Sequence, residues 1–359
     1  MSESTLDQLR YRIDELDEKI QILLNERAAC AQQVAEAKQN NDDSVFYRPE
    51  REAEILRRVR ERNKGPLSGD EIVRLFREIM SACLALEQPL AIAYLGPEGT
   101  YTQTAAQKHF GHSVTLKPLA AIDEIFREVE AGSADFGVVP VENSTEGTIN
   151  HTLDMFIRSP LKICGDVELQ IHHQLLGGAN SLDQISSVQA HQQALAQCRE
   201  WLDANLPGVE RVAVSSNAEA ARLAHGDASI AAIASDAAAE MYELDILASN
   251  IEDDPNNATR FLVVGRQEVG PSGNDKTTLM VAVHNKAGAL YSLLEPIARH
   301  GVSMTKIESR PSRVSKWEYV FFVDVEGHVE DESVAAALKE LQTEASLLKV
   351  LGSYPRCEL

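Results

Sequence analysis

Apolar positions set the first reading of the chain. From Leu6 they recur at Leu9, Ile13, Leu16, Ile20 and Leu23, then at Cys30 and Val34, the three-four alternation of one long helix packing against others. Two cations interrupt the stripe. Arg27 stands where an apolar residue belongs, and Lys38 follows three turns later on nearly the same face. An inward cation needs an anion, so each reaches a glutamate, snorkels to solvent, or joins the other around a bound dianion. Arg10 is a third candidate for that dianion, but its separation from Arg27 is about 25 Å along a helix. It can contribute only from an antiparallel second copy, which predicts a homodimer or a higher homo-oligomer. The helix is expected to end at Asn40–Ser44. Pro49 opens a second, carrying Arg51 and Glu52 at once, and Ser68 with Glu71 makes a capping box for a third. Its apolar positions Ile72, Leu75, Phe76, Ile79 and Cys83 run to Leu86, and Pro89 closes it.

Beyond Pro89 the period changes. A short strand, Ile92–Leu95, feeds the loop Gly96–Thr102 and a helix; the pattern repeats with Phe136–Val141, the loop Glu142–Gly147 and a helix from Thr148. This alternation predicts an α/β region with a largely parallel sheet. Both loops gather glycine and hydroxyls before a helix, where free backbone N–H groups attract carboxylates unless the residues merely cap. Thr259 and Arg260 fall at the start of a further strand, Leu262–Val264. The alanine-rich stretch Glu168–Leu247 reads as scaffold, and His191 in its strand-to-helix turn as a local hydrogen-bonding residue or an acid-base group. After the turn-rich linker Val269–Asp275 come a strand Lys276–His284, a helix Ala289–His300, strands Val302–Arg310 and Trp317–Val325, a helix Asp331–Thr343 and a strand Leu348–Ser353. The order βαββαβ is the ferredoxin-like plan.

Composition narrows the function. A chain of 359 residues, 44% hydrophobic, divides into several cores. A formal net charge of -21 argues against nucleic-acid binding, yet local cations can still hold anionic substrates. Five scattered cysteines without a CxxC pair suit reduced thiols. The first residues lack a signal-peptide pattern, and no apolar run approaches the ~18 residues of a membrane span. The expectation is a cytoplasmic protein with no membrane contact, so Asn143, Asn150 and Asn257 are not read as glycan acceptors despite their N-x-S/T context. The pairs His109 and His112, and His172 and His173, lack accompanying ligands, so no metal and no cofactor is expected.

Three sets of motifs carry resemblances. LRYRIDELDEKI, LLNER, AEAK, YRPERE and RLFREIMSACLALEQP, within residues 1–90, resemble the all-helical chorismate mutase domain. The resemblance implies that Arg10 of a partner, Arg27 and Lys38 hold chorismate's carboxylates and ether oxygen, with Arg48, Arg51, Glu52, Cys83 and Glu87 around the pocket. Lys38 and Glu87 are the expected catalytic groups. A Claisen rearrangement needs a folded substrate and stabilised charge on that oxygen. The best-known form of this domain has serine and glutamine where this chain has Cys83 and Glu87, and a glutamate donates a hydrogen bond only when protonated. A domain without mutase activity is therefore the alternative.

YLGPEGTYTQ, GVVPVENSTEGT, HQQALAQC and NNATRF, within residues 91–267, resemble prephenate dehydratase, whose fold is two lobes around a cleft, as in periplasmic binding proteins. The resemblance makes Thr259 the expected catalytic hydroxyl donor. Arg260 is expected to hold a carboxylate, and Thr100, Asn143, Ser144, Thr145, Gln193 and Phe261 complete the prephenate site. Arogenate is the alternative substrate. KAGAL and ESRP, within residues 275–359, resemble the phenylalanine-binding ACT domain. Gly288, Ala289, Leu290, Glu308, Ser309, Arg310 and Pro311 then form the effector site, backed by Trp317. Together these imply a two-activity enzyme of phenylalanine synthesis, inhibited by phenylalanine. A non-catalytic amino-acid sensor is the alternative from another class.

Overall fold

The computed structural model describes residues 3–40, 47–145, 147–283, 287–311 and 319–357. Asn41–Ser44, Glu146, Lys286 and Trp317, all named above, lie outside the described residues. The chain forms two compact units, Met1–Arg48 with Ile55–Leu90 and Phe110–Thr115, and Pro49–Glu54 with Ala91–His109 and Leu116–Leu359.

The first three helices are α1 (Glu3–Asn40), α2 (Pro49–Arg62) and α3 (Gly69–Glu87). Ser68 caps α3 by accepting from the Glu71 backbone N–H at 3.1 Å, but the Glu71 carboxylate turns to Arg74 instead of completing the box. α1 packs on α3, burying Ala35, while Cys83 is buried on α3. The apolar stripe at the other end of α1 behaves differently. Leu6, Leu9, Ile13, Leu16, Ile20 and Leu23 are each between 43% and 63% exposed, so nothing among the described residues covers the face that the sequence marks for packing.

The second unit begins with β1 (Ala91–Leu95), α4 (Tyr101–Phe110), β2 (Thr115–Leu119), α5 (Ile122–Glu130), β3 (Phe136–Asn143), β4 (Gly147–Thr148), α6 (Asn150–Arg158) and β5 (Lys162–Gln170). The chain then crosses to a second sheet made of β6 (Gln174–Gly177), β7 (Ser187–His191), α7 (Gln192–Gln197), α8 (Arg199–Asn205), β8 (Glu210–Val214), α9 (Asn217–His225), β9 (Ile230–Ala234), α10 (Asp236–Met241) and β10 (Asp245–Ala248). It returns in β11 (Ala258–Gly265), which inserts between β3 and β5. The sheet orders are β2-β1-β3-β11-β5 and β10-β6-β9-β7-β8. The expected largely parallel sheet is a mixed one: β11 runs antiparallel to both neighbours, because a returning strand enters from the opposite end. The two crossovers are bonded together, Ile171 N to Asn257 O at 2.7 Å and Ile251 N to His173 O at 2.8 Å.

The last 85 or so residues follow the βαββαβ plan: β12 (Asp275–Val283), α11 (Ala289–Arg299), β13 (Met304–Pro311), β14 (Tyr319–Glu326), α12 (Glu332–Glu344) and β15 (Leu347–Pro355), in the order β13-β14-β12-β15. One face of this sheet packs on its own helices through Leu279, Val281, Leu293 and Leu341. The other shares a core with the first lobe, Met280, Phe322, Leu351 and Tyr354 meeting Leu153, Phe156, Ile163 and Leu262. Gly352 permits this approach, since a Cβ there would lie 2.1 Å from the Ile163 carbonyl oxygen.

Candidate active sites

In the helical unit α1 and α3 bring three of the expected residues into one electrostatic environment. Burial raises the Glu87 carboxyl above its ordinary range, and Lys38 and then Arg27 oppose the rise. Cys83 lies one turn earlier on α3 and is buried. Arg10 is exposed on the same helix as Arg27 and sits 3.6 Å from Asp7. Arg48 is the exposed residue before α2, with no capping bond from its side chain. Arg51 pairs with Glu54 in the first turn of α2, where Glu52 is partly buried.

The second unit gathers the Asn143 loop and the start of β11. Pairing of β3 with β11 sets Thr259 opposite Asn143. The Asn143 amide nitrogen donates to Thr259 Oγ1 at 2.8 Å and to Asn257 Oδ1 at 3.0 Å. Its oxygen accepts from the backbone N–H of Thr145 at 3.1 Å and from that residue's hydroxyl at 2.6 Å. Gln197, from α7 of the other lobe, donates to Thr145 Oγ1 at 2.9 Å, and its oxygen lies 2.9 Å from His173 Nε2. His173 in turn lies 3.0 Å from the Tyr101 hydroxyl. Thr259 and Asn143 are each less than a tenth exposed. A cavity of about 330 Å³ lies between the lobes, lined by Thr100, Tyr101, His191, Ser216, Asn217 and Ser235.

Other expected residues take different places. Thr100 donates its hydroxyl to the Leu95 carbonyl at 3.0 Å. Ser144 accepts from the Ala258 N–H at 2.9 Å, stitching the loop to β11. Gln193 is partly buried in the first turn of α7, whose cap is His191, with Nδ1 accepting the Gln193 N–H at 3.4 Å. Phe261 is a core residue, 2% exposed. Arg260 departs most from expectation. Side chains alternate along a strand, so Arg260 faces away from Thr259, donating to Asp166 at 3.0 Å, to Asp324 at 2.7 Å and to the Tyr354 hydroxyl at 3.0 Å. Asp166 also receives Lys276 at 2.8 Å. On that side a polar cavity of about 390 Å³ is lined by Glu142, Asp166, Arg260, Lys276, Lys306 and Asp324. The buried Asp166 carboxyl lies below its ordinary range: burial works against this, but Lys276 and Arg260 outweigh it.

Gln197, His173, Tyr101 and Asn257 were not among the expected site residues. Gln197 sat inside a quoted motif, but its partners come from segments 24 and 52 residues away in sequence, and periodicity carries no signal at that range.

In the last sheet Gly288 adopts φ 79°, a left-handed conformation that a glycine takes without strain, immediately before Ala289 opens α11. Leu290 is exposed, as are Ser309 and Pro311. Alternation on β13 sends Glu308 and Arg310 the other way, toward the first lobe, where Arg310 donates to Asp154 at 2.9 Å.

Comparison with known proteins matches three family models in succession: chorismate mutase type II over residues 9–88, prephenate dehydratase over 92–269 and the ACT domain over 277–342. A bifunctional chorismate mutase/prephenate dehydratase from Stutzerimonas stutzeri is 58% identical over 365 residues, covering 100% of both chains. The chain belongs to the bifunctional chorismate mutase/prephenate dehydratase family.

Among solved structures, the prephenate dehydratase from Arthrobacter aurescens in complex with L-Phe is 35% identical with a TM-score of 0.69, covering 74% of this chain and 90% of that one. A protein described as a novel type of quorum quenching acylase is 32% identical with a TM-score of 0.69, covering 74% and 98%. The family assigns the helical unit to the mutase, the two lobes to the dehydratase and the last sheet to the ACT domain.

Proposed function

We propose that this chain rearranges chorismate to prephenate on its helices and then decarboxylates and dehydrates prephenate to phenylpyruvate at Thr259, under inhibition by phenylalanine bound at the ACT domain. The modules are placed at residues 1–90, 91–267 and 275–359. The observation that carries the dehydratase reading is the bond from the Asn143 amide to Thr259 Oγ1, which occupies the oxygen as acceptor and leaves the hydroxyl's own hydrogen to donate. As the ring carboxylate leaves as CO₂, its electron pair aromatises the ring and expels the ring hydroxyl, which takes the Thr259 proton and departs as water; solvent then reprotonates the threonine. Threonine is a weak acid, so positioning and hydrogen bonding supply most of the catalysis, with Asn143 and Thr145 fixing the donor. Thr100, Ser144, Gln193 and Phe261 shape the loops around it. Arg260 serves the joint with the ACT sheet, and Gly288, Ala289, Leu290, Glu308, Ser309, Arg310 and Pro311 contribute the effector-binding edge and its contact with the lobe.

For the mutase, Arg27 and Lys38 hold the chorismate dianion, Arg51, Glu52 and Cys83 line the pocket, and a protonated Glu87 donates to the ether oxygen. Arg48 adds positive charge at its rim. The uncovered α1 stripe supports a homodimer in which a second, antiparallel α1 covers it and delivers its own Arg10. Ile20→Glu is therefore expected to give a monomer by light scattering that has lost mutase turnover and keeps dehydratase turnover. A dimeric, fully active variant would remove this reading. No helix among the described residues is long and apolar enough to cross a membrane, and all five cysteines are free, which supports a cytoplasmic setting.

The test of the mutase reading is chorismate conversion from pH 5 to 9 beside Glu87→Gln. Burial raises the Glu87 pKa, so the donating form persists above the usual carboxylate range and is lost as pH rises through the raised value. The wild-type rate is expected to fall with pH while the variant stays flat. No rate in either, with prephenate still consumed, would mean a silent helical domain.

A further inference from the structure

The hydrogen bonds around Thr259 have a direction that one backbone group determines. The Thr145 N–H can only donate, so the end of the Asn143 amide that it meets is the oxygen. The Thr145 hydroxyl, 2.6 Å from that same oxygen, must donate to it as well. Having given its hydrogen away, Thr145 Oγ1 accepts from Gln197, which identifies the end of Gln197 facing it as the NH₂ and leaves the oxygen toward His173 Nε2. That ring nitrogen must therefore carry hydrogen. The Tyr101 hydroxyl gives its one hydrogen to the His172 carbonyl at 2.6 Å and lies 3.0 Å from His173 Nδ1. In the other direction the Asn143 NH₂ points at Thr259, and every bond from His173 to Thr259 donates toward the threonine.

We propose that His173 is a positioning residue of the dehydratase site, its Nε2–H held on the Gln197 side-chain oxygen and aligning Gln197, Thr145 and Asn143 so that the Thr259 hydroxyl hydrogen stays free for substrate. The proposal rests on the reading of Thr259 given above. Burial supports it from a second side. His173 is 2% exposed, and desolvation lowers its pKa against the raising effects of Gln197 and Glu252, which disfavours the charged ring. The Glu252 carboxylate accepts instead from the His173 backbone N–H at 2.8 Å and pairs with His172 at 2.7 Å. His173 stands on one crossover between the lobes, Gln197 on the second lobe, and Tyr101 and Thr145 on the first. The array therefore also ties the relative position of the lobes to the orientation of the catalytic hydroxyl.

The experiment compares His173→Leu, His173→Gln and Thr259→Val in the full-length protein, measuring dehydratase kcat and KM with mutase turnover and thermal transition as controls. His173→Leu deletes the donor and is expected to lower dehydratase kcat about 10- to 100-fold, with KM within about twofold and mutase turnover unchanged, the size of loss that small misplacement of a reacting group causes. His173→Gln returns an N–H near the Nε2 position and is expected to recover kcat to within about fivefold of wild type. A full kcat in His173→Leu, or a glutamine variant as impaired as the leucine one, overturns the proposal. Should Thr259→Val itself keep full turnover, the reading of the site fails instead, whichever way His173 behaves. Independently of any variant, ¹⁵N shifts of the labelled imidazole in the wild-type protein must report Nε2–H; Nδ1–H would overturn the assignment.

Discussion

Thr259→Val is expected to lower dehydratase turnover by about 1,000-fold, some 4 kcal/mol of transition-state stabilisation, while mutase turnover is unchanged. Valine has the shape of threonine without the hydroxyl, and the β-branched position packs as before. The Asn143 amide keeps Asn257 Oδ1 at 3.0 Å and the Ala258 carbonyl at 3.3 Å as acceptors, so its donor is not orphaned. The loss therefore reads the missing proton rather than a disturbed fold. Thr259→Ser keeps the hydroxyl but frees its rotation, and a loss of about tenfold or less is expected. Fed chorismate, the valine variant should accumulate prephenate, visible by its acid-catalysed conversion to phenylpyruvate. Undiminished turnover would move the proton source to another residue, first to His191, which lines the cavity between the lobes.

Arg260→Met is expected to cost about 3–5 kcal/mol, because it strands two buried carboxylates. Asp166 and Asp324 are 4% and 7% exposed, and among the described residues Arg260 is the side chain that bonds to both. Lys276 still reaches Asp166, and the Thr278 hydroxyl still reaches Asp324 at 2.7 Å, which limits the loss. The pH dependence has a defined sign. The Asp166 carboxyl is held below its ordinary value of 3.8, so its stabilising contribution is present above that value and is lost as pH falls through the lower, folded one. With Arg260 gone the carboxyl is held down less, and thermal stability should begin to fall at a higher pH than in wild type. Because Arg260 adjoins Thr259 on β11 and its partner Asp324 lies on β14, the variant should also weaken phenylalanine's effect on dehydratase turnover. A melting curve indistinguishable from wild type between pH 7 and 3 would rule out this role.

Much of this was legible in the chain. The six C-terminal elements fall within two residues of their expected bounds for the described ends, because each carries local alternation and each helix has its own start signal. The motif around Thr259 likewise lies at the start of a strand, β11, as its pattern implies. It carries no signal for where Arg260 points, since adjacency in sequence places two residues on opposite faces of a sheet, and only the pairing of β11 tells which face meets the Asn143 loop and which meets the last sheet. The same limit hid His173 and Gln197, whose role arises from a crossover and a helix of different lobes.

Local pattern by itself determined the three modules, the long helix with its misplaced cations, the βαββαβ order and the hydroxyl-bearing loops, because helical and strand periods and caps are written within a few residues. Tertiary structure decided which donors converge on Thr259 and that His173 Nε2 faces the Gln197 side-chain oxygen. It also set Arg260 between Asp166 and Asp324, and it left the α1 stripe uncovered by any of the described residues. Those outcomes depend on contacts between distant segments, where burial and hydrogen-bond direction are set jointly by partners that no local window contains.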